Sequence, residues 1–288
     1  MIPRTPYADP LVSPASLARA LDAEDLVVLD ARVLLTRSGP LGDREAYAAG
    51  HLPGAIYADV PGHLCDPDVP MAFAMPTAQR FAEALGVLGV GDSSDVVIYD
   101  DAFETPSGPI AGLFAARVWW MLRWIGFDRA RVLDGGYAAW MRAGLPVSTQ
   151  TERPLRRTVT PDLRADLIAD RDEVLAALGD PRVTLVDVLD ADHFAGRHAM
   201  YPRPGHIPGA VNRPFSELFD DAGCFRALTP EAVIEQAGKG GRTIAYCGGG
   251  IAASAYALAM TRAGVDNLAV YAASLQEWAA DPTLPMEL

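Results

Sequence analysis

The stretch Gly50-His-Leu-Pro-Gly-Ala55 decides the fold, because it recurs as Gly205-His-Ile-Pro-Gly-Ala210. Each copy follows a short apolar run that ends in aspartate and precedes another that ends in tyrosine. A third segment, ending in tryptophan, comes later in each half. The matching pairs are Leu26–Asp30 with Val183–Asp187, Val96–Tyr99 with Thr243–Tyr246, and Val132–Trp140 with Val270–Trp278. Four landmarks in the same order indicate a duplicated structural unit.

Within each copy, short apolar runs alternate with segments of helical periodicity. The helical patterns cover Ser16–Leu21, Thr77–Leu88, Ala111–Trp124 and Ile251–Ala263. Such alternation predicts an α/β fold, in which helices cover both faces of a parallel sheet. We therefore predict two tandem α/β domains, over residues 1–147 and 163–288. The segment 148–162 is polar and lacks an apolar period, which predicts a linker between them.

Composition and charge limit the partners. The chain has 288 residues and a formal net charge of −13, from 24 basic and 37 acidic residues. Nucleic-acid binding depends on clustered cations, so we expect no nucleic-acid partner. An anionic small molecule is compatible with this charge, because a local cradle can be positive within an acidic protein. No run of about 18 apolar residues occurs, so we expect no membrane partner.

The cysteines bear on the compartment. Cys65, Cys224 and Cys247 are odd in number and widely spaced, so they indicate neither a disulfide framework nor a metal site. The segment Met1–Tyr7 lacks the apolar stretch of a secretory signal. These features predict a protein of the reducing cytoplasm. Lys239 is the only lysine and lies among glycines, which argues against Schiff-base chemistry.

The stretch Thr243-Ile-Ala-Tyr-Cys-Gly-Gly-Gly-Ile-Ala-Ala253 contains the candidate nucleophile. An apolar run leads into Cys247, three glycines follow, and a helical pattern begins after them. Glycines allow backbone N–H groups to turn inward, and a helix start adds partial positive charge. The predicted anion cradle consists of Gly248, Gly249, Gly250, Ile251, Ala252 and Ala253. The loop alone fits either a thiolate nucleophile or a buried cysteine beside a tight turn.

Taken together, the motifs resemble those of tandem rhodanese-type sulfurtransferases, the family of thiosulfate and 3-mercaptopyruvate sulfurtransferases. The resemblance covers nearly the whole chain. It rests on the repeated His-x-Pro-Gly-Ala, on a cysteine loop in the second repeat alone, and on Asp30–Arg32, Gly112–Trp120 and Val132–Gly136. Repeat alignment places Asp100 opposite Cys247. A carboxylate cannot carry a persulfide, so the resemblance implies two rhodanese-like domains of which the first is catalytically silent.

The resemblance implies a two-step transfer of sulfur. The Cys247 thiolate attacks the outer sulfur of a small anionic donor, either thiosulfate or 3-mercaptopyruvate, and becomes a persulfide. A thiol or cyanide then removes that sulfur, and the thiol can belong to a protein. No metal or organic cofactor is implied, because the cysteine itself carries the transferred group.

The loop departs from both main patterns of the family. Gly248 and Gly249 stand where thiosulfate-preferring relatives have cationic residues, so the uncharged loop favours 3-mercaptopyruvate. Gly249 and Ala252 stand where mercaptopyruvate-preferring relatives have hydroxyls. A proton relay through a loop hydroxyl is therefore not expected in this chain.

The donor-binding candidates lie upstream of the cysteine. His193 stands where the family has an arginine that binds the donor's anionic group, and histidine could do so only when protonated. Arg197 and Arg203 could supply the missing cation, or could lie in a solvated loop. His51 and Asp43 are similar to a histidine and a nearby acid that face the active site in mercaptopyruvate enzymes. A structural role in the repeated turn explains His51 equally.

Two other functions stay open. A cysteine-dependent phosphatase needs an arginine six residues after the cysteine to clamp the phosphoryl oxygens, and here that residue is Ala253. A non-catalytic domain, or a relay that passes sulfur between proteins, would have the same fold. We expect a sulfurtransferase, with the relay as the main alternative.

Overall fold

The computed structural model describes residues 9–105, 108–198, 200–237 and 241–288. Met1–Tyr7 and Lys239, which entered the sequence argument, lie outside these ranges. The chain divides into two compact units. Unit 1 comprises the described residues up to Arg164 together with Asp221–Cys224, and unit 2 comprises Ala165–Asp220 and Phe225–Leu288. The polar segment 148–162 belongs to unit 1.

Unit 1 contains nine strands and five α-helices within its described residues. The strands are β1 (Leu11–Val12), β2 (Leu26–Asp30), β3 (Val33–Thr36), β4 (Gly39–Gly42), β5 (Ile56–Tyr57), β6 (Asp95–Tyr99), β7 (Phe103–Thr105), β8 (Gly108–Ile110) and β9 (Ala130–Leu133). The helices are α1 (Pro14–Ala18), α2 (Arg44–Ala49), α3 (Ala78–Val87), α4 (Leu113–Trp124) and α5 (Gly136–Arg142), with a π-helix over Val60–Leu64. A parallel sheet in the order β1-β9-β6-β2-β5 forms the centre. Two antiparallel hairpins, β3 with β4 and β7 with β8, lie outside it.

Unit 2 has the same arrangement with fewer additions. Its strands are β10 (Ile168–Ala169), β11 (Val183–Asp187), β12 (Val211–Asn212), β13 (Arg242–Tyr246) and β14 (Leu268–Tyr271). Its helices are α6 (Arg171–Ala176), α7 (Ala191–Phe194), α8 (Pro230–Ala237), α9 (Ile251–Arg262) and α10 (Ser274–Trp278), with 3₁₀ turns over Ala165–Leu167 and Phe215–Leu218. The parallel sheet runs β10-β14-β13-β11-β12, so β13 occupies the central place that β6 has in unit 1.

Burial explains why the predicted strands read as continuous apolar runs. The last four residues of β2, β6 and β13 are all buried, as expected for parallel strands covered on both faces. Helices α4 and α9 are buried around most of their circumference. The predicted α/β fold is therefore confirmed. Among the helices that the structure describes, none combines the length and the apolar character that a bilayer-spanning segment needs.

The repeated His-x-Pro-Gly-Ala motif makes the same contacts in both units. His51 exchanges backbone hydrogen bonds with Ser148, and His206 does so with Glu287. In each unit the histidine Nδ1 lies 2.7–2.8 Å from the carbonyl oxygen of an aromatic residue, Tyr47 or Phe194. The same aromatic rings stack on the imidazoles, with centroids 3.9 and 3.6 Å apart. The motif thus fixes one turn of the fold twice.

The aspartates that end β2 and β11 have different neighbours. Asp30 accepts hydrogen bonds from the Arg32 guanidinium at 2.7–3.1 Å and from the Tyr99 hydroxyl at 2.6 Å. In unit 2 the residue two places after Asp187 is Leu189, whose side chain cannot donate. Leu189 donates only its backbone N–H to Asp187 Oδ1, at 2.8 Å.

The missing arginine changes the electrostatics of Asp187. Both aspartates are fully buried. Burial raises the pKa of Asp187 to about 6, although the backbone N–H of Leu189 and the hydroxyl of Tyr246 oppose the shift. Asp187 is therefore a buried carboxylate, and Leu189 stands where unit 1 has the compensating Arg32.

Replacing Arg32 by leucine tests the buried ion pair. Arg32→Leu leaves the Asp30 charge buried without its partner, so we expect the free energy of unfolding to fall by about 3–5 kcal/mol. Urea denaturation followed by circular dichroism measures this change. Arg182→Leu is the matched control, because Arg182 contacts Asp180 through the same three N–H groups on the protein surface. An equal loss of stability in both variants would contradict the argument from burial.

The pKa of Asp187 predicts a pH dependence of stability. The folded protein holds the proton of the Asp187 carboxyl more tightly than the unfolded chain does. The contribution of Asp187 to the free energy of unfolding therefore falls as pH rises from about 4 to about 6. The shift corresponds to about 3 kcal/mol. Urea titrations at several pH values measure the free energy of unfolding of wild type and of Asp187→Asn. We expect the difference, wild type minus variant, to decrease across this pH window. A difference that stays constant with pH would refute the prediction.

Candidate functional site

Cys247 lies at the carboxyl edge of the parallel sheet in unit 2. It directly follows β13, which pairs with β11 on one side and β14 on the other. Ligands of open α/β sheets bind at this edge, beyond the ends of the strands. The cysteine is a free thiol and is buried, with 2% of its surface exposed. It is therefore placed where this fold class places reactive groups.

The loop after Cys247 turns the chain from β13 into α9 within three residues. Gly250 adopts the left-handed conformation, with φ of 81°, which a residue with a side chain rarely takes. Its N–H donates to the Sγ atom of Cys247, and the N···S distance is 3.1 Å. Helix α9 begins at Ile251, so the partial positive charge of its N-terminus lies beside the same sulfur. This arrangement favours an anion at Sγ.

Gly248 and Gly249 have a purpose that the sequence did not predict. In the loop that follows Cys247, only Gly250 has a positive φ, so inward-turned N–H groups do not explain the other two glycines. A Cβ atom on Gly248 would collide with the hydroxyl of Tyr201. A Cβ atom on Gly249 would lie 3.2 Å from Nε2 of Gln276. The Tyr201 hydroxyl therefore leaves no room for a side chain at Gly248, whereas at Gly249 the approach of Gln276 is tight but closer to ordinary contact.

Tyr201 is a site residue that the sequence analysis missed. Its hydroxyl lies against Gly248, and its side chain is half-buried. Burial raises the pKa of Tyr201 above its usual value, and the nearby Cys247 and Asp187 raise it further. No sequence motif surrounds Tyr201, so only the folded loop before Gly205 reveals its position beside the cysteine.

Ser274 is a second residue that the sequence analysis missed. The N–H of Cys247 donates to Ser274 Oγ at 3.1 Å, and this hydroxyl donates to the Tyr271 carbonyl at 2.7 Å. Ser274 has a φ of 55°, in the left-handed region that disfavours side chains. The corresponding residue of unit 1 is Gly136, with φ of 57°. A serine at a position suited to glycine marks a strained residue that holds the cysteine backbone.

The repeat alignment that set Asp100 opposite Cys247 agrees with the backbone contacts. In unit 1 the N–H of Tyr137 donates to the Asp100 carbonyl at 2.8 Å. In unit 2 the N–H of Leu275 donates to the Cys247 carbonyl at 3.1 Å. Tyr137 directly follows the left-handed Gly136 after β9, and Leu275 directly follows the left-handed Ser274 after β14. The two units therefore hold different side chains at one structural position.

The Asp100 carboxylate occupies the start of α4. It accepts hydrogen bonds from the N–H groups of Gly112, Phe114 and Ala115 at 2.6–3.2 Å. Burial raises the pKa of Asp100 to about 7, and these three N–H groups act against the shift. In unit 2 the N-terminus of α9 thus faces the sulfur of Cys247, whereas in unit 1 the Asp100 carboxylate occupies the N-terminus of α4.

The three donor-binding candidates differ in their surroundings. Arg203 is committed to structure, because its guanidinium donates to the carbonyls of Trp278, Ala279, Asp281 and Leu284 at 2.5–3.1 Å. Arg197 is exposed and pairs with Asp192, with Nε 2.7 Å from Oδ1. The Nδ1 atom of His193 lies 2.7 Å from Oδ2 of Asp190. Of the three side chains, Arg203 has the contacts of a structural residue.

His51 and Asp43 also make structural contacts within unit 1. Besides the Tyr47 carbonyl, His51 Nε2 lies 2.9 Å from the Gln150 carbonyl oxygen. Asp43 caps α2 by accepting the N–H of Ala46 at 2.9 Å. A catalytic role for either residue stays a prediction, and the contacts described here are those of a turn and a helix cap.

One group of side chains in unit 2 has the composition of a metal site. Asp190, His193 and His198 each offer a ligand atom, and these atoms lie within 4.8 Å of one another. The spacing of the cysteines predicts no metal site, whereas these three residues become neighbours through the short helix α7 and the turn that follows it.

Known proteins resemble this chain over nearly its full length. The rhodanese-like domain family matches residues 13–143 and 170–281. The probable 3-mercaptopyruvate sulfurtransferase of Pseudomonas aeruginosa is 36% identical, over 96% of this chain and 97% of that protein. The putative thiosulfate sulfurtransferase SseB of Mycobacterium tuberculosis is 33% identical, over 96% of each.

A solved structure agrees with these relatives. The crystal structure of SseA from Escherichia coli, one of the 3-mercaptopyruvate sulfotransferases, has a TM-score of 0.77 and 26% identity, covering 92% of this chain and 98% of that one. The duplicated parallel sheets, the cysteine at the edge of the second sheet and these similarities lead to one conclusion. The chain belongs to the rhodanese-like domain family and is a sulfurtransferase.

Proposed function

We propose that the chain transfers a sulfane sulfur through a persulfide on Cys247. The observation that carries this proposal is the 3.1 Å contact between the Gly250 N–H and Sγ at the start of α9. Both the thiolate that attacks and the persulfide that results are anions. A preorganised N–H donor and a helix N-terminus stabilise such anions without rearrangement during the reaction.

With 3-mercaptopyruvate as donor, the Cys247 thiolate attacks the donor's sulfur atom. An S–S bond forms while the donor's C–S bond breaks, and its electron pair leaves on carbon. That carbon takes up the donor's thiol proton, so pyruvate is released. An acceptor thiol or cyanide then attacks the outer sulfur and returns Cys247 to the thiolate. The loop supports both steps because Sγ stays beside the Gly250 N–H and the start of α9 throughout.

The charge of the loop supports 3-mercaptopyruvate over thiosulfate. Residues Gly248–Ala253 carry no charged side chain that would attract a second negative charge. The relatives named above include proteins described with each donor, so their names alone do not decide between the two. The uncharged loop is the feature of this chain that supports 3-mercaptopyruvate.

Unit 1 is proposed to be catalytically silent, with residues 1–147 as the silent domain and 163–288 as the catalytic one. The Asp100 carboxylate fills its own helix N-terminus and cannot form a persulfide. The three cysteines are free thiols, which supports a reducing compartment such as the cytoplasm. A relay, in which Cys247 accepts its sulfur from one protein and passes it to another, is the alternative and uses the same persulfide.

Intact-mass measurement with each donor tests the persulfide. Incubation with 3-mercaptopyruvate should add one sulfur atom, ~32 Da, to the wild-type chain and none to Cys247→Ser. We expect thiosulfate to add it more slowly. Cys65→Ser is the control, because Cys65 is buried in unit 1 and burial raises the pKa of its thiol to about 11.

The mass experiment separates the alternatives. Sulfur gained by Cys247→Ser would show that another residue is the carrier. No gain from either donor would favour the protein relay. Faster loading by thiosulfate would overturn the argument from loop charge.

Ser274→Gly tests whether the strained serine positions Cys247. Glycine suits the positive φ, so we expect stability to be kept while the Cys247 N–H loses its acceptor. We expect kcat to fall by about tenfold or more, from a loss of about 1–2 kcal/mol in positioning, with little change in KM. Circular dichroism and urea denaturation of Ser274→Gly check that its fold and stability are kept. Full activity in Ser274→Gly would remove Ser274 from the site.

A further inference from the structure

The turn after β11 brings one carboxylate and two imidazoles together. Ligand atoms of Asp190, His193 and His198 all lie within 4.8 Å of one another. Nδ1 of His193 is 2.7 Å from Oδ2 of Asp190. The rings of His193 and His198 meet edge to face, with centroids 5.5 Å apart. Three different ligating side chains therefore converge on a small volume at the protein surface.

The backbone of this turn is held by its own hydrogen bonds. Asp190 Oδ1 accepts the N–H groups of Asp192 and His193 at 2.9–3.0 Å. The Asp192 carbonyl accepts the N–H groups of Arg197 and His198 at 2.8 and 3.2 Å. These bonds fix the positions from which the three side chains project. The cluster does not depend on the chance packing of long flexible side chains.

The charges around the cluster favour a cation. In unit 1 the aspartate that ends β2 is paired with Arg32, whereas in unit 2 Leu189 occupies the corresponding place. Asp187 is thus buried three residues before Asp190, and its Oδ2 has no partner of good hydrogen-bond geometry in the described residues. Arg197, the cation of this turn, is paired with Asp192. Negative charge accumulates at this end of the sheet.

We propose that Asp190, His193 and His198 form a binding site for a divalent first-row transition metal ion such as Zn²⁺. Two imidazoles and one carboxylate are a common donor set for zinc. Tetrahedral ligand atoms about 2.0–2.1 Å from zinc lie roughly 3.4 Å apart. The three ligand atoms here lie within 4.8 Å of one another, and Nδ1 of His193 is 2.7 Å from Oδ2 of Asp190, so binding requires side-chain shifts of about 1 Å. The ion replaces the proton between Asp190 and His193, which is released on binding. Three protein ligands leave the fourth position open for water or an anion.

Metal titration of the full chain tests this site. The protein is first stripped with a chelator, and Zn²⁺ binding is then measured by calorimetry and by competition with a chromophoric chelator. We expect one equivalent of zinc to bind, and Co²⁺ to give a visible absorption spectrum of tetrahedral type. His198→Ala and Asp190→Asn should each weaken binding by about tenfold or more, since even outer-shell changes cost 10–100-fold. Circular dichroism without metal checks that both variants are folded.

Two further variants show where the metal binds. His63→Ala removes an exposed histidine outside the cluster and should leave binding unchanged. Cys247→Ser removes the soft thiol that could capture zinc, and it should also leave binding unchanged. Loss of binding in Cys247→Ser, unchanged binding in both His198→Ala and Asp190→Asn, or no binding to wild type would each overturn the proposal. Persulfide formation is measured separately by mass, so failure of the metal site and failure of sulfur transfer are distinguished.

Discussion

The turn from β13 into α9 is the constraint on which the candidate site depends. The chain passes from a buried strand to a helix in three residues, and Gly250 completes the turn in the left-handed conformation. The same turn directs an N–H group to the sulfur of Cys247 and places the helix N-terminus behind it. Ser274 and Leu275 then hold the cysteine backbone from the next strand end. The surroundings of Sγ therefore follow from how the backbone connects two elements.

The duplicated frame shows which features belong to the fold and which to the site. Both units retain the stacked histidine of the repeated turn, and in both a tryptophan Nε1 donates at 2.8 Å to a proline carbonyl, Trp140 to Pro146 and Trp278 to Pro285. These contacts stabilise the fold in either unit.

The differences between the units are concentrated at the carboxyl edge of the sheets. Asp100 fills the helix N-terminus of unit 1, whereas unit 2 leaves it to Cys247. A left-handed glycine in unit 1 is replaced by Ser274, and the arginine beside the strand-terminal aspartate is replaced by Leu189. Two of these differences give unit 2 a strained serine and a buried carboxylate that lacks an arginine partner.

The sequence by itself determined the duplication, the parallel α/β class and the position of Cys247 before a helix, because these depend on periodicity and local turns. It assigned one role to all three glycines, whereas Gly248 and Gly249 serve close approach by Tyr201 and Gln276. Only the tertiary structure decided that Arg203 is bound to four carbonyls, that Ser274 anchors the cysteine, and that Asp190, His193 and His198 converge. The contacts of Arg203 and Ser274 join loops and strand ends that are distant in the sequence, and no local pattern records which side chains such packing brings together. Asp190, His193 and His198 lie in one short segment, where helix α7 and the turn after it decide that their side chains meet.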